Sequence, residues 1–89
     1  MQITFKLTQE GREPITVKTV VGDLIAWERK TGNKISDLQN GAGMEDLSFL
    51  AYSCVKRGAP DTADFDTWVN TLVGIEAEAA DPKSMETVQ

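Results

Sequence analysis

The sequence predicts an α+β protein, an N-terminal β-hairpin packed on a small bundle of three to four short α-helices. Strict alternation of apolar and polar residues over residues 2–8 is typical of a half-buried strand. Apolar spacings of three and four residues in three later segments indicate amphipathic helices. The 89 residues leave room for one domain. We expect that globular domain over residues 1–78 and a flexible tail over residues 79–89.

The hairpin is expected over residues 2–19. Its apolar positions are Ile3, Phe5 and Leu7 in the first strand, and Ile15 and Val17 in the second. Gly11 lies in the polar turn between them, where it is free to take a positive φ. Because an isolated hairpin is only marginally stable in water, we expect the helices to cover its apolar face.

The first helix is expected over residues 20–31, with Thr19 as its N-cap and Gly32 as its left-handed C-cap. Its buried side should consist of Val20, Leu24 and Trp27, with Ile25 beside them. Residues 34–40 are expected to add a short helical turn capped by Ser36.

Two further helices are expected, over residues 44–57 and 63–77. The apolar stripe of the former consists of Met44, Leu47, Leu50, Ala51, Cys54 and Val55. The latter should bury Phe65, Trp68, Val69, Leu72 and Ile75. Phe49 and Tyr52 flank the first of these stripes, so they are the best candidates for exposed aromatic side chains.

The residue types argue against an enzyme. The chain has no histidine, and its one cysteine, Cys54, falls on an apolar helix face where a thiol acts as a small hydrophobe. Every Asp and Glu has a polar sequence context and is expected to be exposed, which leaves no carboxylate with a raised pKa. Asp61, Asp64 and Asp66 lack the calcium-loop spacing. We therefore expect no catalytic site, no cofactor and no metal site.

The charge is negative and unevenly distributed. The net charge is −5, and residues 35–89 carry three basic and ten acidic side chains, against six basic and four acidic in residues 1–34. Such an acidic chain is not expected to bind nucleic acid. No apolar run approaches the roughly 20 residues of a membrane helix, so no membrane partner is expected.

Three sequence motifs together resemble one protein family. They are Trp-Glu-Arg-Lys-Thr-Gly at residues 27–32, Glu-Asp-Leu-Ser-Phe-Leu-Ala-Tyr at 45–52 followed by Lys-Arg-Gly at 56–58, and Asp-Phe-Asp-Thr-Trp-Val at 64–69. In this order, the chain resembles the tail assembly chaperones of long-tailed bacteriophages. It is similar to the shorter product of the pair made by programmed frameshifting in phages of actinobacteria. The similarity covers roughly residues 14–76.

The resemblance implies a protein that binds the tape measure protein and keeps it soluble while the tail tube polymerises. The longer frameshifted product would bind the tail tube protein, and self-association into a homo-oligomer is expected. The chaperone would act in the host cytoplasm and be absent from the mature virion. No catalytic residues carry over. The candidate partner-binding residues are Trp27, Glu28, Arg29, Phe49, Tyr52, Arg57 and Trp68.

Simpler interpretations and other functions stay open. Trp27 and Trp68 are also typical of core residues, and Glu28 with Arg29 is also typical of a solvated helix end. A small acidic regulatory or inhibitor module would bind a basic partner surface through the acidic residues of 35–89. A structural tail or head-tail component would form a closed ring and remain in the virion. A helix-turn-helix DNA binder ranks last, because the third helix is acidic.

Overall fold

The computed structural model describes residues 2–39 and 41–80. Within them the chain forms three strands and four helices. In chain order these are β1 (Gln2–Gln9), β2 (Ile15–Lys18), α1 (Val21–Thr31), α2 (Ile35–Gln39), α3 (Met44–Gly58), α4 (Phe65–Val69) and β3 (Leu72–Ala80). The strands form one antiparallel sheet in the order β2-β1-β3, and the predicted α+β class is confirmed.

The alternation in β1 separates the two faces of the sheet. Ile3, Phe5 and Leu7 are buried on one face, where Phe5 lies opposite Val17 of β2. The side chains between them turn to the opposite, polar face, as the period of two requires. The hairpin predicted over residues 2–19 is present, and helices cover its apolar face to form the core.

The start of α1 differs from the expectation at Thr19. The Thr19 hydroxyl is buried and accepts the backbone N–H of Ile3 at 2.9 Å, so it fastens β1 instead of capping the helix. The N-cap is Val20, whose N–H donates to Oδ2 of Asp23 at 2.8 Å. The helix ends as predicted at Gly32, where φ is 75°. The Asp23 carboxylate therefore accepts the backbone N–H of the N-cap residue, as the third residue of a capping box does, and no side chain of Val20 caps the first turn.

Three residues expected to be buried are exposed. Val20 is 47% exposed, Ile25 40% and Met44 64%. Val20 is the N-cap of α1 and Met44 is the first residue of α3, so apolar spacing alone overstated the extent of the buried stripes. On α3, the positions that reach the core are Leu50, Ala51 and Cys54.

The helix predicted over residues 63–77 is wrong beyond residue 69. Only Phe65–Val69 is helical, and Leu72–Ala80 forms β3, which pairs antiparallel with β1 from Gln9 to Gln2. The spacing of apolar residues fitted a helix, and alanine and glutamate favour one. The hairpin, however, uses only one edge of β1. Hydrogen bonding of residues 72–80 to the other edge outweighs their local helix propensity.

The predicted tail over residues 79–89 lies mostly outside the described residues. The backbone of residues 79 and 80 belongs to β3, so this strand extends two residues beyond the expected domain limit of 78. Residues 81–89 lie outside the part of the chain that the structure describes.

Candidate functional site

Both tryptophans lie in the core. Trp27 is 2% exposed, and its indole Nε1 donates to Oδ1 of Asp46 at 3.0 Å, which joins α1 to the first turn of α3. Trp68 is 5% exposed and forms the buried end of α4. Both rings therefore pack in the core, which is the alternative that the sequence left open for each tryptophan.

Glu28 and Arg29 do not form a joint site. Oε2 of Glu28 accepts the backbone N–H of Ile35 at 3.0 Å, so this carboxylate satisfies a free amide at the start of α2 and ties α2 to α1. Arg29 is exposed in the last turn of α1, where its charge complements the helix dipole.

Four aromatic rings form a cluster along α3 and α4, here called the aromatic cluster: Phe49, Tyr52, Phe65 and Trp68. The Tyr52 ring centroid lies 5.5 Å from that of Phe65 and 5.4 Å from that of Trp68. Phe49 meets Phe65 edge-on at 6.1 Å. The Tyr52 hydroxyl donates to the carbonyl oxygen of Ala63 at 2.8 Å. Phe49 and Tyr52 are half-buried.

Lys30 completes this cluster from α1. Its Nζ lies 4.5 Å from the ring centroid of Phe49 and 4.8 Å from that of Phe65, which places the ammonium over both rings. A cation at such distances is attracted by the ring quadrupoles. The sequence pattern does not predict this contact, because it carries no signal that places Lys30 of α1 next to Phe65 of α4.

A buried carboxylate joins α1 to α3. Asp23 is 2% exposed. Its Oδ1 accepts the Ser53 hydroxyl at 2.6 Å, and its Oδ2 accepts Nη2 of Arg57 at 3.0 Å and the Cys54 thiol at 3.4 Å. These four residues are here called the Asp23 cluster. The expectation that every carboxylate is exposed is wrong at Asp23, and the available signal was its helical spacing of four from Trp27.

Burial and hydrogen bonding act on Asp23 in opposite directions. Burial by itself raises the pKa of this carboxyl, whereas the hydrogen bonds from Ser53, the Val20 N–H, Arg57 and Cys54 lower it. The hydrogen bonds dominate, so the pKa of Asp23 lies below its ordinary value of 3.8. The hydrogen bond and the charge of the same carboxylate raise the pKa of Arg57. The pair is therefore ionised at neutral pH.

Acid should weaken this cluster in a predictable direction. Because the pKa of Asp23 is lower in the folded state than in the unfolded chain, its stabilisation is present above the ordinary value of 3.8 and is lost as the pH falls through the folded value. We expect the difference in free energy of unfolding between the parent protein and Asp23→Asn to narrow below about pH 4. Denaturant titrations at a series of pH values measure it. If the stability difference between the parent protein and Asp23→Asn does not change with pH, the pKa of Asp23 is not lowered by folding.

Cys54 should be unreactive in the folded protein. Burial first, and then the adjacent Asp23 carboxylate, raises the pKa of its thiol to about 12. The fraction of thiolate at neutral pH is therefore very small, and the side chain is 5% exposed. We expect a thiol reagent such as Ellman's reagent to modify Cys54 at a rate limited by opening of the fold, and rapidly in denaturant. Fast modification of the native protein would contradict this.

A groove of about 420 Å³ runs between the start of α1 and the outer face of α3, here called the α1–α3 groove. It is lined by Gly22, Asp23, Phe49, Tyr52, Ser53, Lys56 and Arg57. The structure thus brings together three of the candidate contact residues, namely Phe49, Tyr52 and Arg57. Lys56 and Arg57 give the groove a basic rim, in contrast to the acidic chain as a whole.

Two titratable groups of the Asp23 cluster, Asp23 and Cys54, have pKa values shifted away from the range useful for acid–base or nucleophilic chemistry at neutral pH. Asp23 already accepts several donors at a lowered pKa, which makes it a weak base, and the raised pKa of Cys54 makes it a weak nucleophile. Residues 2–39 and 41–80 hold no cluster of histidine, cysteine, aspartate or glutamate side chains placed to bind a metal ion. Across the same ranges, no helix has the length and apolar character needed to cross a membrane.

Comparison with protein-family models, with curated proteins and with solved structures finds no match for this chain.

Proposed function

We propose that this protein is a bacteriophage tail assembly chaperone that binds the tape measure protein and keeps it soluble during polymerisation of the tail tube. The α1–α3 groove carries the proposal. The resemblance implies a client that is long, helical and apolar along its length. Such a client binds through residues at helical spacing that enter an apolar groove between two helices.

The lining of the groove suits this client. Phe49 and Tyr52 supply apolar contact area with few rotatable bonds, which limits the entropy lost on binding. Lys56 and Arg57 lie at the rim, and Lys30 lies against the other side of Phe49. These cations would pair with acidic side chains that flank the apolar stripe of a client helix.

The same rim disfavours the alternative of an acidic inhibitor module acting through this surface. That function needs free carboxylates facing a basic partner, whereas the carboxylate in the groove, Asp23, is engaged by Arg57. A structural tail component would use the same fold in another way, and the two differ in whether the protein remains in purified virions.

Gly22 offers a way to test the groove without disturbing the core. A Cβ atom built at Gly22 would meet open space within the described part of the chain. Gly22→Trp should therefore fill the groove while leaving α1 intact, because any residue other than proline favours a helix more than glycine does. The control is Thr16→Trp, which places the same indole on the exposed, polar face of the sheet.

The experiment is co-expression with the tape measure protein of the same phage, followed by co-purification. We expect the client to be soluble and to co-purify with the parent protein and with Thr16→Trp. With Gly22→Trp we expect most of the client to be insoluble. Client solubility that is unchanged when this protein is omitted would refute the proposed function. If equal amounts of soluble client co-purify with Gly22→Trp and Thr16→Trp, the groove is not the binding surface.

A further inference from the structure

The outer edge of β3 is a second surface of the fold, separate from the α1–α3 groove. The order β2-β1-β3 places β3 at one side of the sheet, and within the described residues β3 pairs only with β1. In an antiparallel ladder, alternate N–H and C=O groups of an edge strand point away from its neighbour. The nine residues Leu72–Ala80 therefore present a row of backbone donors and acceptors.

The two edges of the sheet differ in how well they are protected from pairing with another strand, and β2 is better protected than β3. β2 has four residues, and Nη2 of Arg57 donates a hydrogen bond to the backbone carbonyl oxygen of Lys18 at 3.1 Å. The bulge in the β1–β3 pairing lies next to Gln9, at one end, so Gly74 to Ala80 continue in regular register. A long regular edge without proline is a template for another strand.

Two carboxylates mark the solvent face of this edge. Glu76 lies opposite Lys6 of β1, and Glu78 lies two residues further along on the same face. Ile75 and Ala77 alternate with them and lie on the core face. A strand added to the edge would therefore meet a row of acidic side chains on one face and small or apolar ones on the other.

Two central registers of self-pairing by a second copy of the chain bring carboxylates face to face. In a two-fold antiparallel pairing centred on Glu76, that residue faces its own copy. In a pairing centred on Ala77, Glu76 faces Glu78 of the other copy. Like charges directly opposite each other destabilise a sheet. The two carboxylates thus act against self-pairing and favour a neighbour with cationic side chains.

We propose that the outer edge of β3 binds an extended segment of another protein as a fourth strand, and that this segment carries lysine or arginine at alternate positions. Main-chain hydrogen bonds along β3 hold the segment in place, and pairing with Glu76 and Glu78 selects its sequence. The outer edge of β3 is separate from the α1–α3 groove, so the Gly22→Trp variant should bind such a segment as the parent protein does.

The probe is a capped peptide of alternating valine and lysine, as long as β3, compared with a matched peptide of alternating valine and glutamate. Heteronuclear NMR of the isotope-labelled full chain follows each titration. We expect the lysine peptide to shift the backbone amide signals of β3 and to slow their hydrogen exchange, with β2 unaffected. Glu76→Lys combined with Glu78→Lys should reverse the preference between the peptides and weaken lysine-peptide binding about tenfold. The neutral pair Glu76→Gln and Glu78→Gln should abolish the preference.

Three results would overturn the proposal. One is the absence of any change in the β3 amides at millimolar lysine peptide. Another is equal binding of both peptides by the parent protein, since the carboxylates would then select nothing. A third is protection of the β3 amides that grows with protein concentration alone, which would show that a second copy occupies the edge. Failure of client binding at the α1–α3 groove bears on none of these readouts.

Discussion

Replacement of Phe5 by alanine is expected to lower the free energy of unfolding by about 3–5 kcal/mol. Phe5 is 0% exposed in the central strand of the sheet, opposite Val17 of β2 and Ala77 of β3. Removal of the ring leaves a cavity between the sheet and the helices. The backbone pairing of β1 with both neighbouring strands prevents the sheet from closing that cavity. Denaturant unfolding followed by circular dichroism measures the change.

The neighbouring Lys6→Ala variant is the matched control for Phe5→Ala. Lys6 is exposed on the other face of the same strand, so the expected change is within about 0.5 kcal/mol. Phe5→Leu, which keeps most of the apolar contact, should cost only about 1 kcal/mol and remains measurable if the alanine variant fails to fold. Equal stability of the alanine variants at residues 5 and 6 would contradict the assignment of faces in β1.

Replacement of Asp23 by alanine is expected to lower the free energy of unfolding by about 1–3 kcal/mol, because it leaves several hydrogen-bond donors without their shared acceptor. The Ser53 hydroxyl and the N–H of Val20 lose their partner, and the Arg57 guanidinium loses its ion pair. For a domain of this size, such a loss should lower the melting temperature by roughly 5–20 °C. Calorimetry or thermal circular dichroism measures it.

An exposed aspartate provides the comparison for Asp23. Asp61 lies in the turn before α4 and is exposed, so Asp61→Ala should change the free energy of unfolding by less than about 0.5 kcal/mol. Asp23→Asn keeps the shape but removes the charge, and its stability should fall between those of the parent and Asp23→Ala. An Asp23→Ala variant as stable as Asp61→Ala would show that the Asp23 cluster contributes nothing to the fold.

Much of the candidate surface was predictable from sequence, but its arrangement was not. Phe49 and Tyr52 were identified as flanking aromatic residues, and both line the α1–α3 groove. Arg57 was identified through a motif, whereas its partner Asp23 was expected to be exposed. The hydrogen bond between them joins residues 34 positions apart, and local spacing carries no information about such a contact.

Several elements of the fold were predictable because their sequence signals are local. Strict alternation specified β1, glycine ended α1 at residue 32, and regular apolar spacing specified α3. Each signal arises from backbone geometry within a few residues, so it holds in most environments. The α+β class followed from these elements together.

The last strand and the ion pair depend on contacts between segments that are distant in the chain. Residues 72–80 have apolar spacing and residue types compatible with a helix. They form a strand because their backbone pairs with the free edge of β1. Asp23 was polar by sequence and became buried because Arg57, Ser53 and Cys54 converge on it from α3. In both cases the deciding free energy comes from hydrogen bonds between segments that are distant in the chain, and these form only when the whole domain folds.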